Sequence, residues 1–584
     1  MNRYDVVIVG AGIAGVRSLW EMRQLGLSVR VLEAGTGVGG TWYWNRYPGA
    51  RTDSEAWTYC FSFDHDLCQE WDWQEVFPGQ PEVESYINTA VDRLGLRDDI
   101  QFQTTVVACD YDTASSTWCV TTEAGETFTS RFLISASGLL HLALDPPFPG
   151  LENFRGEWLQ TAKWPKEPVD FLGKKVAIIG TGATGVQLIP VIARDAAEVT
   201  VLQRTANYVV PTRNHAIEPT HRAEIKRNYD AIWAQTEKQV FAFAFDPAGR
   251  MSSDVPREQW SQVFDYGWEA GGFRFLFETF DDLLVDVEVN AAASEFIQNK
   301  IRAIVKDPVT AELLCPDHMY GGKRPPMGMH YYEAFNRPNV KLVPVTENPI
   351  VDVTESGVRL ADGTVHEVDV IVFALGFDAM TGSLAAMNIR GADGRTLQEA
   401  WGDQPRSYLG VTVPGYPNFF MLSGPLSPFA NIPVVIDRAV RFIGGAIRSA
   451  QEQGAQVIEP SEDATDAYVE HCRALLDANV VIKSGEGKRS WFIGDNVEGK
   501  APGVYFHFGG AASYFAELKG VMENDFRGLV FSRNPGGRAS SLVDPPSATA
   551  DLETSDAVPP HDQPGSRVPV RRADLAMPSF AAEG

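Results

Sequence analysis

Two copies of one glycine-rich pattern constrain the fold of this chain more than any other feature of its sequence. One copy follows a β-branched apolar run at residues 4–9, the other follows a similar run at 174–179, and a helical pattern succeeds each. Glycine at these spacings allows a tight turn, a close approach of backbone to a pyrophosphate, and close packing of helix on strand. The sequence therefore predicts an α/β fold with two Rossmann-like dinucleotide-binding domains. The glycines concerned are Gly10, Gly12, Gly15, Gly180, Gly182 and Gly185.

The end of each module's second strand predicts which nucleotide that module binds. Glu33 ends this strand in the first module, where a carboxylate can accept hydrogen bonds from ribose hydroxyls. The second module has Gln203 and Arg204 at the same place, and an arginine pairs with a 2′-phosphate that a carboxylate would repel. Arg204 could instead be a solvated surface residue, but the repeat of the module favours the ligand role. We therefore expect FAD in the first module and NADPH in the second.

Three loops supply further candidate residues. Residues 39–53 combine paired glycines with many aromatic side chains, which suits a wall against a flat ring system or simply a packed loop. Lys323 and Arg324 are adjacent cations in a loop bounded by glycine and proline. Such a pair is usually a surface feature, and the functional alternative is a fixed positive charge between two cofactors. The polar loop at 490–496, with Trp491, is either a mobile lid or a plain surface loop.

Charge and cysteine content narrow the classes of partner and cofactor. A net charge of −26 does not offer the positive surface that binding to nucleic acid requires. The six cysteines form no C-x-x-C pair and no spacing typical of a zinc site, and they suit a reducing compartment. We find no signal peptide, and no apolar run approaches the ~18 residues of a membrane span. We expect a cytoplasmic monomer or weak homo-oligomer without a metal site and without nucleic-acid or membrane partners.

The order of the patterns predicts how the chain is divided. Residues 223–243 and 267–284 are typical of aromatic-rich helices that either line a substrate cavity or fill a core. Strands returning to the second module are expected at 336–343, 350–353 and 369–374, and helices at 433–449 and 463–478. The predicted division is an FAD-binding domain at 1–145 and 381–533, a linker at 146–170, an NADP-binding domain at 171–213 and 321–380, a helical insertion at 214–320, and a disordered tail at 534–584.

The aromatic segment at 154–165 lies between the two modules, where it either fills a gap or sets how one cofactor faces the other. Two cofactor modules joined by this segment resemble the type I Baeyer-Villiger monooxygenases, the cyclohexanone and phenylacetone monooxygenase group. The family signature G-G-x-W-x-x-x-x-Y-P-G-x-x-x-D is met in full from Gly39 to Asp53. In the fingerprint F-x-G-x-x-x-H-T-x-x-W-P, Gln160 stands in place of the histidine. The residues that match this fingerprint are Phe154, Gly156, Thr161, Trp164 and Pro165.

The resemblance, which extends over residues 4–531, implies a role for each candidate residue. Arg324 corresponds to the family's catalytic arginine, Asp53 to the carboxylate that positions it, and Trp491 to a residue that closes over the nicotinamide. The FAD-binding residues that it implies are Gly10, Gly12, Gly15, Glu33, Gly40, Thr41, Trp42, Asp53, Tyr59 and Val107. The NADP-binding residues that it implies are Arg51, Thr52, Gly180, Thr181, Gly182, Ala183, Thr184, Gly185, Gln187, Gln203, Arg204 and Lys323.

The function implied by the resemblance is oxygen insertion beside a ketone carbonyl, which gives an ester or lactone. NADPH would reduce FAD, and a C4a-peroxyflavin formed with O2 would attack the carbonyl of a bulky cyclic ketone. Arg324 would keep the attacking oxygen anionic, because a guanidinium holds its own proton. Two alternatives stay open: a flavin monooxygenase that oxygenates nitrogen or sulfur, and an uncoupled NADPH oxidase or flavin-binding redox sensor. Gln160 is the one departure from the family pattern that supports the second alternative.

Overall fold

The computed structural model describes residues 2–533, so the tail predicted to be disordered lies outside the described residues. In this range the strands are β1 (Asn2–Val9), β2 (Val29–Leu32), β3 (Ile100–Gln101), β4 (Val106–Asp112), β5 (Thr117–Thr122), β6 (Thr127–Ser135), β7 (Glu157–Gln160), β8 (Lys175–Ile179), β9 (Glu198–Gln203), β10 (Val210–Pro211), β11 (Met327–Gly328), β12 (Val340–Pro344), β13 (Ile350–Val353), β14 (Gly357–Leu360), β15 (Val365–Glu367), β16 (Val370–Phe373), β17 (Ile389–Arg390), β18 (Phe419–Met421), β19 (Val457–Pro460) and β20 (Leu529–Ser532). The α-helices are α1 (Ile13–Gln24), α2 (Thr41–Trp44), α3 (His65–Glu70), α4 (Gln80–Arg93), α5 (Ala183–Ile192), α6 (Pro219–Arg227), α7 (Tyr229–Thr236), α8 (Trp260–Ala270), α9 (Arg274–Phe277), α10 (Val287–Ile304), α11 (Pro308–Leu314), α12 (Tyr331–Ala334), α13 (Gly382–Ala386), α14 (Leu397–Trp401), α15 (Ile432–Gln453), α16 (Glu462–Ala478), α17 (Val480–Lys483) and α18 (Ala511–Glu523).

The first module is built on a sheet with strands from both ends of the chain. Its order is β17-β4-β5-β6-β1-β2-β3, with β18 beside β6. The central strand β1 lies parallel to both β2 and β6, and its apolar residues are buried as the sequence predicts. Helix α1 follows β1 and contacts α15, where Nε of Arg17 donates a hydrogen bond of 2.8 Å to Asp437. Both side chains of this ion pair are buried.

The second module is built on a parallel sheet in the order β12-β9-β8-β16-β7. Its edge strand β7 belongs to the segment that we predicted as a linker, and that prediction is wrong in part. Gln160 lies opposite Phe373 in the register of β7 and β16. Since Leu159 and Gln160 are buried, their backbone groups need hydrogen-bond partners, and a sheet edge provides them.

Both nucleotide-binding turns require glycine for the same steric reason. Gly10 has φ 103° and Gly180 has φ 112°, a region that favours glycine. A Cβ atom at Gly10 would lie 2.6 Å from the carbonyl oxygen of Ala136, and one at Gly180 would lie 2.4 Å from that of Ala374. Each turn follows a central strand with neighbours on both sides, which is where ligands bind in open α/β sheets.

The two predicted aromatic helices are wrong in extent. Residues 223–243 form the end of α6 and all of α7, but the chain leaves the helical conformation after Thr236. Residues 267–284 are mostly turns, because α8 ends at Ala270 and α9 covers only four residues. Phe275 is buried in the short helix α9 and Phe280 is buried after it, so their spacing reflects packing rather than a continuous helix. The longest helix of the region, α10, lies within the predicted helical insertion at 214–320, although no separate bounds were predicted for it.

The strands and helices expected later in the chain are confirmed with one exception. β12 and β16 return to the second sheet, and α15 and α16 cover the predicted helices. Residues 350–353 form β13, which pairs with β14 in a separate three-stranded antiparallel sheet instead of joining the second module's sheet. Across residues 2–533, no helix is both long and apolar enough to cross a membrane.

Candidate active site

A cavity of about 1420 Å³ brings together most of the candidate residues. Its walls come from residues 41–59, from the turn after β8, from the region around α7 to α9, and from residues 479–510. The loop at residues 41–59 of the first module and the nucleotide-binding turn of the second module thus face the same cavity. The candidates that line it are Thr41, Trp42, Arg51, Thr52, Asp53, Tyr59, Gly180, Thr181, Gly182, Ala183, Thr184, Gln187, Arg204, Lys323, Arg324 and Trp491.

The other candidates do not line this cavity. Gln203 is buried, and its Nε2 donates a hydrogen bond of 2.7 Å to the carbonyl of Leu313. The carbonyl oxygen of Val107 accepts a hydrogen bond of 3.1 Å from Asn388. The cofactor roles of these two residues stay predictions. The full set outside the lining is Gly10, Gly12, Gly15, Glu33, Gly40, Val107, Gly185 and Gln203.

The carboxylate of Glu33 is held by two backbone amides of its own module. Oε2 accepts from the amide of Ala11 and Oε1 from that of Gly35, each at 2.7 Å. Burial raises the pKa of Glu33, and the two amides oppose that effect. Because each carboxylate oxygen has a second lone pair, Glu33 can fasten the turn and still accept a ribose hydroxyl.

The start of α5 offers space in front of its free amides. Its N-cap residue, Gly182, makes no side-chain cap hydrogen bond, and a Cβ atom placed there would meet nothing within 4 Å. Open space at a helix N-terminus, where amides and the helix dipole favour an anion, suits a pyrophosphate. In the first module, by contrast, Gly40 lies against Gly12, whose added Cβ would lie 3.3 Å from the Gly40 Cα.

Helix α5 also holds the loop that carries Asp53. Gln187 accepts a hydrogen bond of 2.9 Å from the Tyr47 hydroxyl and donates one of 3.2 Å to the carbonyl of Arg51. The Arg51 guanidinium in turn lies 3.1 Å from the carboxylate of Glu75. A residue of the second module therefore sets the position of the first module's loop.

Three cations line one part of the cavity: Arg204, Lys323 and Arg489. Burial, followed by the charge of Arg204, lowers the pKa of Lys323 to about 8. Burial, followed by the charge of Arg489, lowers the pKa of Arg204. Like charges held this close cost free energy that a bound phosphate dianion would recover. Arg489 was not among the residues predicted from the sequence, although its position two residues before Trp491 was a signal that could have identified it.

Arg324 and Asp53 form an ion pair in the cavity wall. Nη2 of Arg324 donates to Oδ2 of Asp53, and the two side chains are equally shielded, with 16% exposed. The backbone of Arg324 is held by Asn207, whose Nδ2 donates a hydrogen bond of 2.8 Å to its carbonyl. Nη1 of Arg324 is buried and has no hydrogen-bond partner among the described residues. A guanidinium donor without a partner is able to pair with a negatively charged oxygen.

The segment that carries Trp491 is docked against the loop of Lys323. Ser490 Oγ donates a hydrogen bond of 3.1 Å to the carbonyl of Gly322. The ring of Trp491 lies 5.2 Å from that of Phe429, nearly perpendicular to it. The segment therefore closes one side of the cavity.

Aromatic side chains form much of the remaining wall. Sequence reasoning allowed the rings of the helical region either to line a cavity or to fill a core, and both occur. Phe264 and Phe275 are buried in the core, whereas others face the cavity. The lining phenylalanines of this region are Phe241, Phe243, Phe273, Phe277 and Phe280, and those from elsewhere in the chain are Phe148, Phe377, Phe429, Phe492 and Phe508.

One cluster of potential metal ligands occurs in the described part of the chain: His471, His507 and Glu517. Oε1 of Glu517 lies 3.0 Å from Nε2 of His507 and 3.3 Å from Nε2 of His471. The carboxylate thus already contacts the Nε2 atom of both rings. The expected absence of a metal site stays a prediction.

Comparison with known proteins gives a consistent set of relatives. A family model described as pyridine nucleotide-disulphide oxidoreductase matches residues 4–252. The chain is 42% identical to a phenazine N-monooxygenase of Lysobacter antibioticus, over 93% of this chain and 99% of the relative. It is 40% identical to a Baeyer-Villiger monooxygenase of Pseudooceanicola batsensis, over 91% of this chain and 96% of the relative.

A solved structure extends the likeness to the whole fold. The crystal structure of cyclohexanone monooxygenase from Rhodococcus sp. Phi1 bound to NADP+ matches with a TM-score of 0.88. The two are 39% identical, and the match covers 91% of this chain and 99% of that one. The predicted fold with two dinucleotide-binding domains is confirmed.

Proposed function

Because this chain belongs to the FAD- and NADPH-dependent Baeyer-Villiger monooxygenases, we propose that it converts a bulky cyclic ketone into an ester or lactone. FAD and NADP are its cofactors, and one atom of O2 is inserted beside the carbonyl. The observation that carries the proposal is Arg324 in the cavity wall, paired with Asp53 and with Nη1 unpartnered among residues 2–533.

NADP would lie along the second module. Its pyrophosphate suits the open space at the start of α5, and its 2′-phosphate suits Arg204 and Lys323, with Arg489 beside them. Trp491 would then face the nicotinamide from the docked segment.

FAD would lie along the first module, with its ribose at Glu33 and its ring near Trp42 and Tyr59. Nε1 of Trp42 donates a hydrogen bond of 3.1 Å to the Tyr59 hydroxyl, which orients both rings at the cavity edge. Bound FAD, once reduced by NADPH, supplies the electrons and the site at which O2 is activated.

Arg324 would stabilise the two negatively charged oxygens that ketone oxygenation requires. The first is the attacking oxygen, and the second is the former carbonyl oxygen after attack. A fixed donor in a shielded site stabilises such charge strongly, because it needs no reorganisation when the charge develops. Asp53 would orient the guanidinium by occupying Nη2, which leaves Nη1 for the reacting oxygen.

The walls of the cavity favour a large apolar substrate. Its volume of about 1420 Å³ exceeds the ~300–1,000 Å³ of ordinary ligand pockets. Part of this space is needed for NADP and for the FAD ring, and the remainder is bounded by the phenylalanine rings of the helical region. The docked Trp491 segment would limit the entry of water, which otherwise competes with the ketone.

N-oxygenation of a planar aromatic heterocycle is the second candidate function. The 42% identity to the phenazine N-monooxygenase of Lysobacter antibioticus favours this function. The aromatic walls of the cavity also suit a flat ring system. Arg324 favours the ketone, because an amine nitrogen needs an electrophilic oxygen whereas this guanidinium stabilises an anionic one.

Product analysis tests the proposal directly. The holoenzyme is incubated with NADPH, O2 and a panel of linear, monocyclic and polycyclic ketones together with phenazine, and NADPH and hydrogen peroxide are quantified. We expect esters or lactones from bulky cyclic ketones and ketone-stimulated NADPH consumption. An N-oxide without any ester would favour the second candidate. Peroxide equal to the NADPH consumed, with or without substrate, would contradict both and indicate an uncoupled oxidase.

We further propose that the protein works in the cytoplasm as a monomer or weak homo-oligomer. Its cysteines are all free, which agrees with a reducing compartment. Sedimentation over a range of concentrations tests the oligomeric state.

A further inference from the structure

We propose that Glu55 and Arg274 are positioning residues that fix the guanidinium of Arg324, acting through Asp53 and Phe273. The inference rests on the proposed role of Arg324 in ketone oxygenation and adds two residues that do not line the cavity. These residues form an ion pair behind the wall in which Arg324 lies.

The ion pair joins two distant parts of the chain. Nη2 of Arg274 donates a hydrogen bond of 2.7 Å to Oε1 of Glu55, and Nη1 donates one of 2.5 Å to Oε1 of Glu278. Both carboxylates are buried, with 4% and 8% of each residue exposed. The Arg274 guanidinium also lies over the ring of Phe245, 4.5 Å from its centroid. Arg274 is thus held on several sides.

One end of this pair connects to Arg324 through an aromatic ring. Phe273 immediately precedes Arg274 and lines the cavity. The guanidinium carbon of Arg324 lies 5.6 Å from the centroid of the Phe273 ring, a distance typical of a cation–π contact. Where Arg274 is fixed, the adjacent ring beneath Arg324 is fixed as well.

The other end connects to Arg324 through Asp53, which lies two residues before Glu55. The chain between them is held, because the Ser54 hydroxyl donates a hydrogen bond of 3.0 Å to Asn431 and its carbonyl accepts from Thr52. The carboxylate that binds Arg324 and the carboxylate that binds Arg274 therefore belong to one restrained segment.

These contacts form a closed loop around the guanidinium. Arg324 contacts Asp53 on one segment and Phe273 on the other, and the Glu55–Arg274 pair ties the two segments together. The unpartnered Nη1 of Arg324 has a defined direction only while both contacts hold. Since small misplacements of a reacting group cost large factors in rate, loosening this loop would divert NADPH into peroxide.

Substitution of the ring tests the loop with little disturbance of the fold. We expect Phe273→Leu to lower the ratio of ester formed to NADPH consumed about two- to five-fold, the factor that a lost cation–π contact represents. Flavin reduction by NADPH should keep its wild-type rate. Phe264→Leu is the matched control, because Phe264 belongs to the same helical region but neither lines the cavity nor makes a ring contact with Arg324 or Phe273 among the described residues.

Substitution of the ion pair supplies a second test. Arg274→Lys and Glu55→Gln should lower the same ratio, whereas Asp437→Asn, which breaks a buried ion pair with Arg17 away from the cavity lining, should leave it unchanged. Should Arg274→Lys fail to fold, the comparison of Phe273→Leu with Phe264→Leu still decides the matter.

A readout independent of activity comes from thermal unfolding of the same proteins. Glu55 and Arg324 do not touch, so independent sites would give additive effects for Glu55→Gln combined with Arg324→Lys. Coupling through the loop predicts a clear departure from additivity, and the pair Asp437→Asn with Arg324→Lys should be additive.

The outcomes separate this inference from the proposed function. Coupled unfolding in a protein that makes no ester or lactone would support the positioning loop and reject the proposed reaction. Wild-type oxygenation with unchanged ratios in Phe273→Leu and Arg274→Lys, and with additive unfolding, would overturn the inference alone.

Discussion

Asp53 and Arg324 form an ion pair in the wall of one cavity although 271 positions separate them in the chain. Asp53 lies in the loop after α2, and Arg324 lies in the loop before β11. The contact therefore joins a loop of the first module to a loop of the second. We propose that a cationic donor held in this way lies where the two cofactors meet, and the surrounding geometry leads to four predictions.

Replacing Arg324 should separate the two half-reactions. We expect Arg324→Ala to reduce FAD with NADPH at close to the wild-type rate but to lose ester formation by about 100-fold or more, the usual cost of one oxyanion donor. Anaerobic stopped-flow absorbance measures the first step, and product analysis measures the second. Arg324→Lys is the control, since it keeps the charge but not the guanidinium fork. Normal product formation in Arg324→Ala would refute the role.

Replacing Arg204 should affect NADPH more than NADH. A charge-assisted hydrogen bond to the 2′-phosphate contributes about 1.5–3 kcal/mol, so Arg204→Ala should raise the KM for NADPH about 10- to 100-fold. NADH lacks that phosphate, and its KM should change little. Arg337→Ala removes an exposed arginine that does not line the cavity, and it should leave both constants unchanged. Equal changes for NADPH and NADH in Arg204→Ala would contradict the assignment.

The lowered pKa of Lys323 predicts a pH dependence of NADPH binding. Its pKa is about 8 in the protein, so it carries its charge below that pH and loses it as the pH rises through 8. A 2′-phosphate is fully ionised in this range, and binding therefore favours the protonated lysine. We expect the KM for NADPH to rise above pH 8 while that for NADH stays level. Lys323→Arg should abolish the rise, because arginine stays charged. A rise that persists in this variant would exclude Lys323 as its cause.

Gln160 should act as a structural hydrogen-bond donor in place of the family histidine. Its Nε2 donates a hydrogen bond of 3.0 Å to the carbonyl of Leu144, a residue that lines the cavity. Gln160→His keeps a donor and should change activity little. Gln160→Leu leaves that carbonyl unpaired and should lower the free energy of unfolding by about 1–3 kcal/mol. Denaturant unfolding measures the change in stability, and the ratio of ester formed to NADPH consumed, followed across pH, measures the change in activity. A large gain of activity in Gln160→His would show that titration of the histidine matters.

Some elements could be predicted from short stretches of sequence alone. The turns at Gly10 and Gly180 require positive φ angles, which favour glycine, so the glycines in the sequence predict them. Long apolar periodicity likewise predicted α15 and α16. At 267–284 the predicted continuous helix was wrong, because buried aromatic residues on two short helices and the turns between and after them gave a pattern similar to that of one helix.

The segment at 154–165 shows a second kind of limit. Its aromatic residues suggested a connection between modules, but residues 157–160 pair with β16 as the edge of the second sheet. The sequence of neither strand by itself indicates a partner that lies so far away in the chain. The strand at 350–353 was placed in the wrong sheet for the same reason.

The sequence by itself determined the two nucleotide-binding turns and the family signature from Gly39 to Asp53. It also determined that Glu33 follows the second strand of one module whereas Arg204 follows that of the other. Each of these features depends on residues close together in the chain. Only the tertiary structure decided that Arg489 joins the other cations and that Phe273 lies under Arg324. The physical reason is that electrostatic and ring contacts depend on distance in space. Segments hundreds of residues apart must fold against one another before such contacts exist.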